Sequence, residues 1–172
     1  MTDALVNWYN NSLGQFLPKE VFVFFVSMIP LVELRGGVII AKLLGIKLFK
    51  ANLICIIGNI IPIPFILLFI KQIFAFMKKH GILKGFVEWC ERRAEKKSAG
   101  AEKGFFVFLL LFVGIPIPGT GAWMGSLISA LYDFDIKKAS LAIFLGIILA
   151  AVIMSIFSYG VWGLFFKIYR KR

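Results

Sequence analysis

The sequence predicts an all-α integral membrane protein built from two matching halves. Three observations carry that prediction. The chain of 172 residues is 60% hydrophobic with a mean hydropathy of +0.89, and its apolar residues gather into four long blocks, roughly 21–45, 49–77, 104–131 and 139–166. A water-soluble domain is nearer half apolar, and each block is long enough for a ~30 Å hydrocarbon core. The first and third blocks are broken by proline and glycine, while the second and fourth run on. The order of broken block, basic turn and long unbroken block occurs twice.

Residues 1–19 come first. Leu5, Trp8, Tyr9, Leu13, Phe16 and Leu17 recur near helical spacing, with Asn7, Asn10, Asn11 and Gln15 between them. Thr2 or Asp3 can cap such a helix, which predicts an amphipathic segment lying in the membrane interface. Residues 20–77 form the first repeat. Its broken block reads Ile29-Pro30-Leu31-Val32-Glu33-Leu34-Arg35-Gly36-Gly37. Residues 21–29 and 36–44 on either side are each about 13 Å long as helix, half a bilayer. The unbroken block that follows is long enough to cross with tilt, with a kink expected at Pro62 and Pro64.

Residues 78–103 are polar. Ile82, Leu83, Phe86, Val87 and Cys90 line one face, and Glu88 and Arg92 can pair across one turn, which predicts an amphipathic linker helix at the membrane surface. Residues 104–166 form the second repeat. Its break reads Gly114-Ile115-Pro116-Ile117-Pro118-Gly119-Thr120-Gly121, and a basic tail follows at 167–172. Offset by 86, Phe22 falls on Phe108 and Ile29-Pro30-Leu31 on Ile115-Pro116-Ile117. Offset by 88, Lys50-Ala51 falls on Lys138-Ala139 and Gly58 on Gly146. A two-residue insertion between these stretches accounts for the change, and the correspondence predicts an internal duplication.

The broken blocks fit re-entrant hairpins that enter to mid-membrane and return. Each half then crosses the membrane an odd number of times, so the halves are inverted. Four full spans with proline kinks are the alternative. The charges favour the alternative: re-entrant hairpins divide the bases eight against eleven, whereas four spans divide them fourteen against five. The net charge of +11 sits at block ends, where it meets water and anionic headgroups. No nucleic-acid module is visible. Cys55 and Cys90 are expected to be structural thiols. No basic leader precedes the first apolar block, which would itself serve for insertion.

Glu33 and Arg35 are the only charges between Glu20 and Lys42. Ionic groups at that depth must face a cavity or a partner. Arg35 is expected to bind an anionic group and Glu33 to take up and release a proton. An internal salt bridge between them is the plainer reading. Gly36 and Gly37 can open a helix N-terminus, and Gly119, Thr120 and Gly121 can do the same in the second half, with Thr120 as cap or hydroxyl donor. Two such termini facing one point would form a phosphate- or carboxylate-sized site. Tight turns and close packing explain the same glycines equally well. Pro30, Pro116 and Pro118 shape the turns. Asn59 and Trp123 are candidate cavity-lining residues, although Asn52 and Asn59 are better read as helix-to-helix hydrogen bonders. No nucleophile–His arrangement, metal spacing or nucleotide loop appears, so no enzyme activity, metal or cofactor is expected.

The segment 30–37, together with Gly114-Ile115-Pro116-Ile117-Pro118-Gly119-Thr120-Gly121-Ala122-Trp123, resembles the bacterial small multidrug export proteins over nearly the whole chain. That family is similar to the DedA/VTT superfamily. The resemblance implies two inverted repeats, each a re-entrant helical hairpin followed by a long transmembrane helix, in a multi-pass protein of a bacterial or archaeal plasma membrane. It also implies translocation of an amphipathic anion such as a polyprenyl phosphate, driven by protons, with Glu33 at the acidic position of the first loop. The second loop lacks the arginine of the DedA pattern, and Arg35 supplies a charge from the first. Membrane lipids and an amphipathic small-molecule or lipid substrate are the expected partners, with a homo-oligomer left open and no nucleic acid. A small multidrug exporter and a non-transporting membrane assembly factor are the competing functions.

Overall fold

A computed structural model describes residues 2–12, 14, 16–81, 85, 88, 102–117 and 119–161. Most of the amphipathic linker with Cys90, the proline at 118 and the basic tail at 167–172 lie outside the described residues. Among the described residues the regular structure is helical throughout. Helix α1 is Thr2–Ser12, α2 is Lys19–Met28, α3 is Glu33–Leu43, α4 is Leu48–Ile60 and α5 is Pro62–Lys79. In the second half α6 is Glu102–Gly114, α7 is Ala122–Leu131 and α8 is Ile136–Ser155, continued by a π-helical turn, Ile156–Val161.

Two apolar stretches, Leu48–Ile70 and Ile136–Gly160, are long and apolar enough to cross a membrane. The helices beside the breaks are much shorter. Helices α2, α3 and α7 have 10, 11 and 10 residues, about 15 Å each at the α-helical rise.

Proline sets the breaks. Ile29, before Pro30, is extended at φ −71° and ψ 130°, which ends α2. The chain returns as α3 through Leu31 at φ 74° and Glu33 at φ 49°. Pro62 opens α5 after Ile61, which keeps helical φ and ψ and bonds the Ile57 carbonyl, so the break is a kink in a helical stretch that runs on, as expected. Tyr9, a buried residue of α1, donates its hydroxyl to the Leu17 carbonyl and packs 5.2 Å from the Phe22 ring, tying α1 to α2.

Each hairpin packs on its own long helix, α2 and α3 on α4, α6 and α7 on α8. The two packings match residue for residue. A Cβ on Gly58 would lie 2.6 Å from the Phe24 carbonyl oxygen and 3.1 Å from Ser27 Cβ; on Gly146 it would lie 2.8 Å from the Leu110 carbonyl oxygen and 2.7 Å from Val113 Cβ. Leu110 and Val113 are Phe24 and Ser27 offset by 86, and Gly146 is Gly58 offset by 88. The turns after α3 and α7 also repeat. Gly45 N–H bonds the Lys42 carbonyl and Ile46 N–H that of Ala41; Asp133 N–H bonds the Ala130 carbonyl and Phe134 N–H that of Ser129. These are paired Schellman caps around a left-handed residue, Gly45 at φ 70° and Asp133 at φ 57°. The core joins both halves through Val23, Leu34, Val38, Leu109, Val113, Ile143 and Ile147, with Cys55 buried among them as a free thiol. Asn52 donates to Ser155 Oγ at 2.7 Å, the expected helix-to-helix bond, here between α4 and α8.

Candidate functional site

The turn between α2 and α3 meets the turn between α6 and α7. Glu33 opens α3 and sends its carboxylate across. Oε2 accepts from Ala122 N–H at 3.2 Å and Oε1 from Trp123 N–H at 3.0 Å. The carboxylate thereby satisfies two of the free donors at the α7 N-terminus and sits at the positive end of its dipole. Gly121, the residue before α7, has φ 133°, and a Cβ there would lie 2.2 Å from Glu33 Oε2. Only glycine leaves room for the acid.

Arg35 does the converse. Its two Nη atoms donate to the carbonyls of Val113, Ile115, Ile117 and Thr120 at 2.8–3.1 Å and to Thr120 Oγ1 at 2.9 Å. The guanidinium gathers the carbonyls at the end of α6 and around the second turn. Thr120 also donates to the Ile117 carbonyl at 2.8 Å. In return, Trp123 Nε1 donates to the Met28 carbonyl at the end of α2, 3.2 Å away.

Several expectations change here. Glu33 and Arg35 form no ion pair; among the described residues the one ion pair joins Lys50 to Glu20 at 3.0 Å. Both charges are held by the backbone of the other half. Gly36 and Gly37 do not open α3, which already begins at Glu33, and Gly36 N–H bonds the Val32 carbonyl. A Cβ on Gly37 would lie 2.1 Å from Ser27 Oγ, so its purpose is close packing. Thr120 does not cap α7, because Gly121 occupies that position without a side-chain bond. The α7 N-terminus is no vacant anion site, since Glu33 fills it. Asn59 is buried within α4 and is not part of the cavity; its Oδ1 has no partner among the described residues.

A cavity of about 860 Å³ lies beside the crossed turns. Pro30, Leu31, Glu33 and Arg35 reach it from the first turn, and Pro116, Ile117, Gly119 and Thr120 from the second. Its walls are Ile66 and Ile70 of α5, Trp123, Met124 and Leu127 of α7, Ile153 and Met154 at the end of α8, and Phe157 of the π-helical turn. Four pairs of these occupy equivalent positions: Pro30 with Pro116, Leu31 with Ile117, Arg35 with Trp123 and Ile66 with Met154. Trp123 was expected at the cavity. The α5 and α8 walls were not, because single apolar residues inside apolar helices carry no distinguishing signal. The volume suits a small amphipathic molecule, and the polar groups converge at one end.

A family model described as "Putative small multi-drug export protein" matches residues 33–153, or 121 of the 172 residues. No curated protein and no solved structure matches the chain.

Proposed function

We propose that this chain, which belongs to the small multi-drug export protein family, is a membrane transporter that moves amphipathic anions through the cavity between its two halves. One observation carries the reading. The cavity has apolar walls and a polar end at which the half-buried Arg35 has no carboxylate partner among the described residues, whereas Glu33 is only 4% exposed and held by Ala122 and Trp123. An apolar tail fits the walls, and a phosphate or carboxylate headgroup meets the arginine's positive charge. A cationic drug would need a free acid, and the one acid among the described residues at this cavity is taken up by two N–H groups of α7.

The same reading takes the two hairpins as re-entrant and the two halves as inverted repeats. Short helices beside each break, matching glycine contacts and a cavity lined by equivalent residues support it, because transporter sites lie where such repeats meet. Glu33 is the proton carrier in this scheme. A proton on its carboxylate removes the charge that holds the α7 N-terminus and loosens one turn from the other. No catalytic chemistry is required.

Flux in reconstituted vesicles tests the substrate class. Anionic single-chain amphipaths should move and matched cationic ones should not, and Glu33→Gln should abolish any dependence on a pH gradient. Transport of the cations alone would overturn the reading in favour of a drug exporter. Impermeant labelling of Lys84→Cys and Lys171→Cys, without Cys55 and Cys90, tests the topology. Labelling from opposite sides is expected, and same-side labelling rules out inverted repeats.

A further inference from the structure

We infer that Trp123 is a positioning residue equivalent to Arg35, and that its weaker hold leaves the first turn, at Pro30 and Leu31, as the moving gate of the cavity. Offset by 88, Arg35 falls on Trp123. Each stands near the start of its half's second hairpin helix, and each reaches the C-terminus of the other half's first hairpin helix. Arg35 donates to Val113 at 3.1 Å and to Ile115 at 3.0 Å, on either side of Gly114. Trp123 donates to Met28 at 3.2 Å, and Met28 is the residue that an offset of 86 places on Gly114. One position is used twice, reciprocally.

The two clasps differ in strength. Arg35 makes charge-assisted bonds and extends them to the carbonyls of Ile117 and Thr120 and to the Thr120 hydroxyl. Trp123 makes one neutral bond. Bonds to a charged group are about twice as strong as neutral ones, so several strong bonds grip the second turn from Val113 to Thr120, whereas the α2 end of the first turn is held by one ordinary bond and only its far end, at Glu33, by charge-assisted ones. The backbone adds to the difference. The second turn places glycines, Gly119 and Gly121, at its positive φ values, where no Cβ is strained. The first turn places Leu31 and Glu33 there, and such side-chain-bearing residues store strain. Leu31 is 89% exposed and lines the cavity, so nothing packed around it resists movement. Pro30 and Leu31, weakly held at the α2 end and strained, are the part that opens.

The gating role rests on the transport reading; the unequal hold does not. Hydrogen exchange followed by mass spectrometry, on the full chain in lipid nanodiscs without substrate, separates them. Trp123→Phe keeps the ring and removes the N–H. It should speed exchange across residues 29–33 roughly threefold to tenfold, the range for one ordinary hydrogen bond, and leave 115–121 unchanged. Trp123→Arg should slow exchange across 29–33 below the wild-type rate. If the arginine variant does not fold, the phenylalanine comparison decides alone. No change at 29–33, or equal acceleration in both turns, would overturn the inference. The predicted exchange pattern in a protein that moves no amphipath would leave the unequal clasps standing and remove the transport reading.

Discussion

The two turns at the cavity occupy equivalent positions and are made of opposite materials. The first brings charge: Glu33 and Arg35 both reach across and bond nothing in each other. The second brings backbone: carbonyls at the end of α6, two N–H groups at the start of α7, and glycines that make room. A helix end exposes N–H or C=O groups that lipid cannot satisfy. Here most of the missing partners come from the first turn, and Trp123 returns one to the end of α2. The halves can therefore share a packing scheme and still diverge at the centre: a carboxylate on one side requires glycine on the other.

Breaking the charged side should have the largest effect. Arg35→Ala leaves the carbonyls around the second turn without donors and should lower stability by about 3–5 kcal/mol, since two or more acceptors each lose a partner at about 1–3 kcal/mol. Thermal unfolding in detergent would measure it. Breaking the backbone side comes next. Gly121→Ala drives a Cβ to 2.2 Å from Glu33 Oε2 at a φ of 133°, and should cost about 3 kcal/mol from overpacking and strain together. Glu33→Ala in the same chain should recover part of that loss, because the clash goes with the carboxylate.

Other substitutions probe the positions at which the halves agree. Gly58→Ala and Gly146→Ala meet a helix backbone at 2.6 and 2.8 Å, and each should cost about 2 kcal/mol. Similar losses would support the equivalence; a large inequality would break it. The smallest effect belongs to Gly45→Ala. Nothing lies within 4 Å of that Cβ, so only the left-handed backbone resists, at about 1 kcal/mol. Asp133 tolerates the same conformation in the second half.

Much of the fold was legible because its signals are local. Apolar blocks, prolines that end α2 and start α5, and matching positions on two long helices can all be read without tertiary knowledge. The site was less legible. Glu33 and Arg35 stood out as charges in an apolar segment, but their partners are backbone atoms nearly 90 residues away, and a peptide group carries no mark in a sequence. Gly37 looked like a helix opener because its neighbour Ser27 lies on another helix. One signal was within reach: the offset of 88 that relates Gly58 to Gly146 also places Arg35 on Trp123, and carrying it back through the turn would have shown one clasp built twice. The cavity wall had no such marker, since Ile66, Met124 and Met154 differ little from residues that face outward.

Transport between the halves should stop when the cavity is blocked and both turns are spared. Met124 lines the wall and takes no part in the clasps. Met124→Trp should fill part of the cavity and leave the fold intact. The measurement is efflux of an anionic single-chain amphipath from vesicles, wild type against Met124→Trp at equal folded amounts. At least a tenfold loss of flux is expected, equivalent to about 1.4 kcal/mol on the barrier. Equal flux through both proteins would contradict it, because the molecule would then be crossing somewhere other than between the halves.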